Sequence, residues 1–285
     1  MKIRFWKDVC AVALIATLGF AGTGWAASAG PFNFSDNQYD NNFTDVRRGA
    51  DINDNNVPDL GGTGHTALNF IGGAGPAGDT WLTKYTPWGY TKNFKGWSGI
   101  CIQGDVLIHT YNNTKGAGLV TLLNSDEEER SSAQDDGHPG KGLALILYDQ
   151  GNSDALLLAT IDPATGKLVK LKVVGLGAGI GNNAWYRVQM FVLAGAGYSD
   201  TLHVEATVFR HSTPTNPNSG TTTQVGGTLV FDGTLSGTGL ESTGEVGIAA
   251  SAFSTNVNSS VTNWSAQDWV GGCGCLEVEC PILQK

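Results

Sequence analysis

The stretch Ala184-Trp185-Tyr186-Arg187-Val188-Gln189-Met190-Phe191-Val192 decides the fold, together with Leu202-His203-Val204-Glu205-Ala206-Thr207-Val208-Phe209 beyond the turn-prone Gly195-Ala196-Gly197-Tyr198-Ser199-Asp200. In the first run Val188, Met190 and Val192 point one way and Arg187, Gln189 and Phe191 the other. In the second, Leu202, Val204, Ala206 and Val208 form an apolar row against His203, Glu205, Thr207 and Phe209. A period of two is that of a half-buried strand, and two such runs joined by a short polar turn make an antiparallel hairpin.

The same grammar continues in both directions. Downstream, Thr228-Leu229-Val230-Phe231-Asp232, a run from Gly244 through Phe253 and a closing Ser260-Val261-Thr262-Asn263-Trp264-Ser265 read as strands. Upstream, 98–112 sets Ile100, Ile102, Val106 and Ile108 against Cys101, Gln103, Asp105, Leu107 and His109, with 117–123 as its partner. Residues 142–149 are almost continuously apolar, which predicts a strand buried on both faces. A hairpin follows, 155–161 and 168–174, around the turn Asp162-Pro163-Ala164-Thr165-Gly166-Lys167. Phe32, Phe34 and Tyr39 in 31–40 suggest a first edge strand packed near the C-terminal strand. The polar segment 211–220 has no periodicity and reads as a flexible surface loop rather than a domain linker.

Taken in order, Trp185-Tyr186-Arg187-Val188, its hairpin partner, Gly244-Glu245-Val246-Gly247-Ile248 and Val261-Thr262-Asn263-Trp264 resemble the second half of the concanavalin A-like lectin/glucanase superfamily in its laminin-G-like form. The likeness runs from about Phe32 to Trp269 and implies an all-β, antiparallel two-sheet β-sandwich of jelly-roll type. Folds of this kind carry lectins, glycosidases and adhesion modules alike, so the resemblance implies architecture and leaves activity open.

Composition agrees with an extracellular β protein: 40 glycines and 15% charged residues favour turns and disfavour helix. A net charge of −9 excludes nucleic-acid binding through clustered Lys and Arg, and suits divalent cations. Lys2, Arg4 and Lys7, an apolar run from Val9 to Phe20 and Gly24-Trp25-Ala26 have the form of a signal peptide over residues 1–26. The expected organisation is then one sandwich over 27–270 and a Cys-rich tail over 271–285, secreted or at the cell surface, with no transmembrane segment in the mature chain.

Loss of Cys10 with the leader leaves Cys101, Cys273, Cys275 and Cys280, an even set that in a secreted chain predicts two disulfides. Cys101 with Cys273 and Cys275 with Cys280 is the preferred pairing, because Cys273 and Cys275 are too close in sequence for an unstrained direct bridge. The alternative is a tail that binds metal or crosslinks to a protein partner.

Asp51-Ile52-Asn53-Asp54-Asn55-Asn56-Val57-Pro58-Asp59 is the most specific short motif. Side-chain oxygens of Asp51, Asn53, Asn55 and Asp59 and the Val57 carbonyl make it a candidate calcium loop, since calcium takes six to eight hard oxygen ligands. The spacing resembles dockerin and thrombospondin type-three loops, with two departures: Asn56 stands where Gly is usual, and no bidentate Glu follows. An ordinary Asx-rich turn would look the same. Further on, 81–97 concentrates Trp81, Tyr85, Trp88, Tyr90 and Trp97, aromatic faces that could stack on sugar rings or equally be core residues.

The function these features point to is a carbohydrate-binding, lectin-like module with calcium as candidate cofactor, its ligand residues being those aromatics together with His203 and Glu205. A structural or adhesive surface protein making protein contacts is the alternative, and a glycoside hydrolase or lyase a second one. Glycan hydrolysis requires paired carboxylates. No Glu-x-Asp-x-x-Glu pattern is present, and Glu205 stands beside His203 without a second acid. The sequence also lacks a Gly-x-Ser-x-Gly elbow and a His-Glu-x-x-His helix. No catalytic residue is assigned.

Overall fold

Alternating side chains leave each strand with an apolar face to hide, and two sheets packed face to face satisfy all of them at once. In the computed structural model the residues described are 28–34, 43–47, 51–53, 67–72, 79–85, 99–108, 115–124, 140–149, 154–177, 180–181, 183–195, 199–218, 220–252 and 257–268. The strands are β1 (Ser28–Phe32), β2 (Phe43–Arg47), β3 (Asp51–Asn53), β4 (Leu68–Gly72), β5 (Asp79–Tyr85), β6 (Gly99–Ile108), β7 (Lys115–Asn124) and β8 (Lys141–Asp149). They continue as β9 (Asp154–Ile161), β10 (Leu168–Gly177), β11 (Trp185–Ala194), β12 (Thr201–His211), β13 (Thr222–Thr234), β14 (Glu245–Ala252) and β15 (Val257–Asp268). Among the described residues the helical content is one short turn, α1 (Leu235–Thr238), capped by the Thr234 hydroxyl accepting from Gly237 N–H.

The front sheet runs β13-β12-β11-β6-β15-β4-β3, with β1 also paired to β15, and the back sheet runs β10-β9-β8-β7-β14-β5-β2. All strand pairs are antiparallel. The molecule is an antiparallel two-sheet β-sandwich of jelly-roll type, as expected. The hairpin that decided the fold is β11 with β12, in unbroken register from Tyr186 opposite Arg210 to Ala194 opposite Leu202.

Between the sheets lie Ile100, Ile102 and Val106 of β6, Val188, Met190 and Val192 of β11 and Val204, Ala206 and Val208 of β12, facing Leu145, Leu147, Leu156, Leu158 and Ile248 of the back sheet. Each large aliphatic side chain buried here contributes about 1.5–3 kcal/mol. β8 is buried on both faces, with Leu143, Leu145 and Leu147 in the main core and Ala144 and Ile146 in a second cluster beside Val120, Ala159 and Ile161.

β15 carries the one irregularity that positions a site. Thr262 pairs with Asp105 and Ser265 with Gln103, so β15 spends one residue more than β6 over this interval and forms a β-bulge. Asn263 takes the left-handed conformation there, with φ of 50°, which Asn tolerates better than most residues. Thereafter the faces are exchanged: Trp264 turns into the core, fully buried, and its indole N–H donates across the sandwich to the Gly247 carbonyl of β14 at 3.1 Å. Phe43 meets the Trp264 ring edge-on at 5.1 Å, and Phe32 of β1 stacks on it at 6.0 Å. The N-terminal strand is therefore tied down beside the C-terminal one, as expected, but it spans Ser28–Phe32 rather than 31–40, and Tyr39 lies outside the described residues. Gly104, opposite the bulge, has no room to spare: a Cβ there would stand 3.3 Å from Val261 and 3.4 Å from Leu119.

Candidate functional site

The outer face of the front sheet is where polar side chains collect, because the other parity of every strand is committed to the core. β6 contributes Gln103 and Asp105, and β11 sets Gln189 and Arg187 directly opposite them. Directly opposed residues share one face and lie within side-chain reach.

Asp105 is the centre of this arrangement and is fully buried. Its carboxylate accepts from Arg187 Nε at 3.1 Å and Nη2 at 3.0 Å, a two-pronged pair, from His211 Nε2 at 2.8 Å, and from Asn263 Nδ2 at 2.8 Å. Burial by itself pushes the Asp105 carboxyl up; the hydrogen bonds from His211 and Arg187 and the guanidinium charge outweigh it and hold the group below the usual carboxylate range. One ionised side chain therefore joins β6, β11, β12 and β15.

Above this network opens a groove of about 390 Å³, lined by Gln103, Arg187, His211, Asn218, Thr222 and Asn263, with Pro31, Pro217 and Gly220 at its margins. Among the described residues, none of those lining it is acidic. Gln189 Nε2 donates to Gln103 Oε1 at 2.9 Å, which fixes the Gln103 amide. Asn263 Nδ2 also donates to Asn218 Oδ1 at 2.7 Å, fastening one groove wall to the next. The wall containing Pro217, Asn218 and Gly220 is the polar segment expected to be a flexible surface loop. Hydrogen bonds tie its described residues: Trp185 N–H donates to the Pro214 carbonyl at 2.7 Å, Ser212 N–H to the Thr221 carbonyl at 2.8 Å, and Asn218 N–H to the Asn216 side chain at 2.8 Å. Asx and Ser/Thr turns of this kind give a loop shape without periodicity.

His203 and Glu205 lie on the same outer face but not in this groove. His203 and His211 are eight residues apart on β12, about 26 Å at strand rise. His203 Nδ1 meets Asp232 Oδ1 at 2.6 Å and its Nε2 meets Glu205 Oε1 at 3.2 Å. Partial burial lowers the His203 pKa, and the two carboxylates raise it by more, so the net shift is upward. Trp81 and Tyr85 belong to β5 of the back sheet rather than to a loop. Trp88, Tyr90 and Trp97 lie outside the described residues. Asp51 and Asn53 form part of β3, paired with β4, while Asn55, Val57 and Asp59 lie outside the described residues. The donors of that motif are all oxygen, the type calcium takes. Among the described residues no three His, Cys, Asp or Glu side chains converge to hold a metal ion. Cys101 is buried on the outer face and disulfide-bonded; Cys273, Cys275 and Cys280 lie outside the described residues. Among the described residues no helix is long and apolar enough to cross a membrane.

The groove residues Gln103 and Arg187, and Asp105 and Gln189 that hold them, were each legible as polar positions on the correct face, yet nothing in the sequence singled them out as a site. The available signal was a pair of polar residues two apart in an otherwise apolar strand, occurring twice.

What these elements define is a β-sandwich with a polar, preorganised groove on one outer face. No protein-family model matches the chain, and no curated protein matches it. Among solved structures it is similar to a Bacillus subtilis protein of unknown function with a galectin-like fold, at 11% identity and a TM-score of 0.46, covering 85% of this chain and 98% of that one. It is also similar to a lectin from Bauhinia forficata in complex with GalNAc, at 12% identity and a TM-score of 0.44, over 85% of this chain and 97% of that one. A third is the PL-14 alginate lyase from Aplysia kurodai, at 11% identity and a TM-score of 0.42, over 73% and 84%. These are likenesses of architecture, and no site residue is carried over from them.

Proposed function

We propose that the protein is a secreted or cell-surface carbohydrate-binding module, and that it holds its glycan in the groove on the outer face of the front sheet. One observation carries the reading: amide, guanidinium and imidazole side chains line a groove on a rigid sheet, oriented by a buried carboxylate that cannot itself reach solvent. Sugar hydroxyls need donors and acceptors fixed in direction, and binding to a preorganised site avoids the entropy of ordering those side chains. Phe191 and Phe209, half-buried on the same face of β11 and β12, add flat apolar surface of the kind that sugar rings cover. Among the described residues no lining side chain offers a carboxylate, which favours binding over two-carboxylate hydrolysis.

Calcium at Asp51, Asn53, Asn55, Val57 and Asp59 and aromatic contacts from 81–97 are accessory parts of this reading. So is a bridge from Cys101 to Cys273: Gln267 stands opposite Cys101 near the end of β15, six residues before Cys273 in the sequence. The test is a glycan array probed with the wild type and with Gln103→Ala, with calcium and with chelator. Binding that falls at least about tenfold in Gln103→Ala, a loss of about 1.4 kcal/mol, is expected. Glycan binding unaffected by that substitution would move the site elsewhere.

A further inference from the structure

Arg187 is only half used by Asp105. Its Nε and Nη2 are spent on the carboxylate, and among the described residues nothing accepts from Nη1. The guanidinium side chain is 30% exposed and lines the groove, while the carboxylate that balances its charge is fully buried beneath it. The groove therefore presents the positive side of the ion pair and hides the negative side. Gln103 adds to this: its Oε1 accepts from Gln189, so its Nε2 is the end left to donate. Among the described residues the lining contains no Asp or Glu, although the chain as a whole carries a net charge of −9. A planar guanidinium edge beside an amide N–H₂ is a fork for a two-oxygen or three-oxygen anion.

We infer that the groove selects acidic glycans, with the anionic group of one sugar docked on the free edge of Arg187 beside the Gln103 amide. This rests on the glycan reading above. A uronate carboxylate and a sulfate ester share the chemistry that this fork recognises.

Calorimetric titration of the full chain with matched pairs tests it: an oligogalacturonate against its methyl ester, and a sulfated galactan oligosaccharide against the desulfated chain. At least one acidic member is expected to bind about tenfold or more tightly than its neutral counterpart, and the arm that does so identifies carboxylate or sulfate. That preference should shrink between low and high salt, because a partly exposed charge contact is screened. Gln103→Glu, which places a carboxylate on the lining, should remove the preference, with a thermal melt confirming that the variant is folded. Equal or tighter binding of the neutral members overturns the acidic selectivity and leaves the glycan reading standing. An acidic preference that survives both Gln103→Glu and high salt overturns the role of Arg187 and Gln103. Absence of binding by every glycan overturns both readings together.

Discussion

Replacing Asp105 with Asn changes one oxygen into an amide group and tests the network on which the groove is built. In the native protein four hydrogen bonds of 2.8 to 3.1 Å end on this carboxylate. Asn keeps one acceptor, and its N–H₂ must face a donor whichever way it is turned. Removing one member of a buried ion pair costs about 3–5 kcal/mol, mostly because the other charge is left without compensation. Arg187 retains 30% exposure and recovers part of that from solvent. The expected loss is therefore near the lower end, about 3 kcal/mol. Equilibrium urea unfolding of wild type and variant measures it at neutral pH, with an unchanged m-value indicating that the two states compared are the same. Acid supplies the sign. The folded Asp105 pKa is depressed, so its stabilisation is present above the unfolded carboxylate pKa of about 4 and is lost as pH falls through the folded value. The gap between wild type and Asp105→Asn should accordingly narrow below about pH 4. A loss smaller than about 1 kcal/mol at neutral pH, or a gap that widens in acid, would refute the assignment of Asp105 as an ionised, compensated centre.

The bulge at Asn263 can be divided into backbone and side-chain parts: Asn263→Gly keeps the left-handed conformation and loses the bonds to Asp105 and Asn218, whereas Asn263→Ala loses both, and should be less stable than the Gly variant by about 1 kcal/mol in urea unfolding. Trp264→Phe removes the donor to Gly247 and leaves a cavity between Phe32 and Phe43, with an expected loss of about 2–4 kcal/mol by chemical denaturation. His203→Gln should matter most in mild acid. The raised pKa of His203 means that its stabilisation is fully present below its unfolded pKa of about 6.5 and is lost as pH rises through the folded value, so melting temperatures of wild type and variant should differ below about pH 6.5 and converge as pH rises through the folded value.

Much of the front sheet was legible because its strands alternate cleanly. Val188, Met190 and Val192 go inward and Arg187, Gln189 and Phe191 outward, and the register of β11 against β12 keeps that parity throughout. β8 was legible for the opposite reason, since an uninterrupted apolar run has no polar face to show. The site was not legible, because it depends on register between strands that are distant in the chain. Asp105 is 82 residues from Arg187, 106 from His211 and 158 from Asn263, and no local pattern encodes those meetings. The bulge left one trace: Val261, Trp264 and Ala266 all face the core, a spacing of three and then two that a regular strand cannot produce. The wall formed by Pro217 and Asn218 escaped notice because its order comes from side-chain turns and one bond to Trp185 rather than from hydrophobic period.

The central claim is that a glycan occupies the groove above Asp105, and nuclear magnetic resonance of the isotopically labelled protein tests it most directly. On addition of a glycan that binds, the account predicts shifts at the Arg187 Nε–H and at the side-chain amides of Gln103, Asn218 and Asn263, with His203, eight residues or about 26 Å from His211 along β12, unmoved. Shifts confined to His203 and Glu205, or to the aromatic stretch 81–97, with the groove side chains silent, would contradict it.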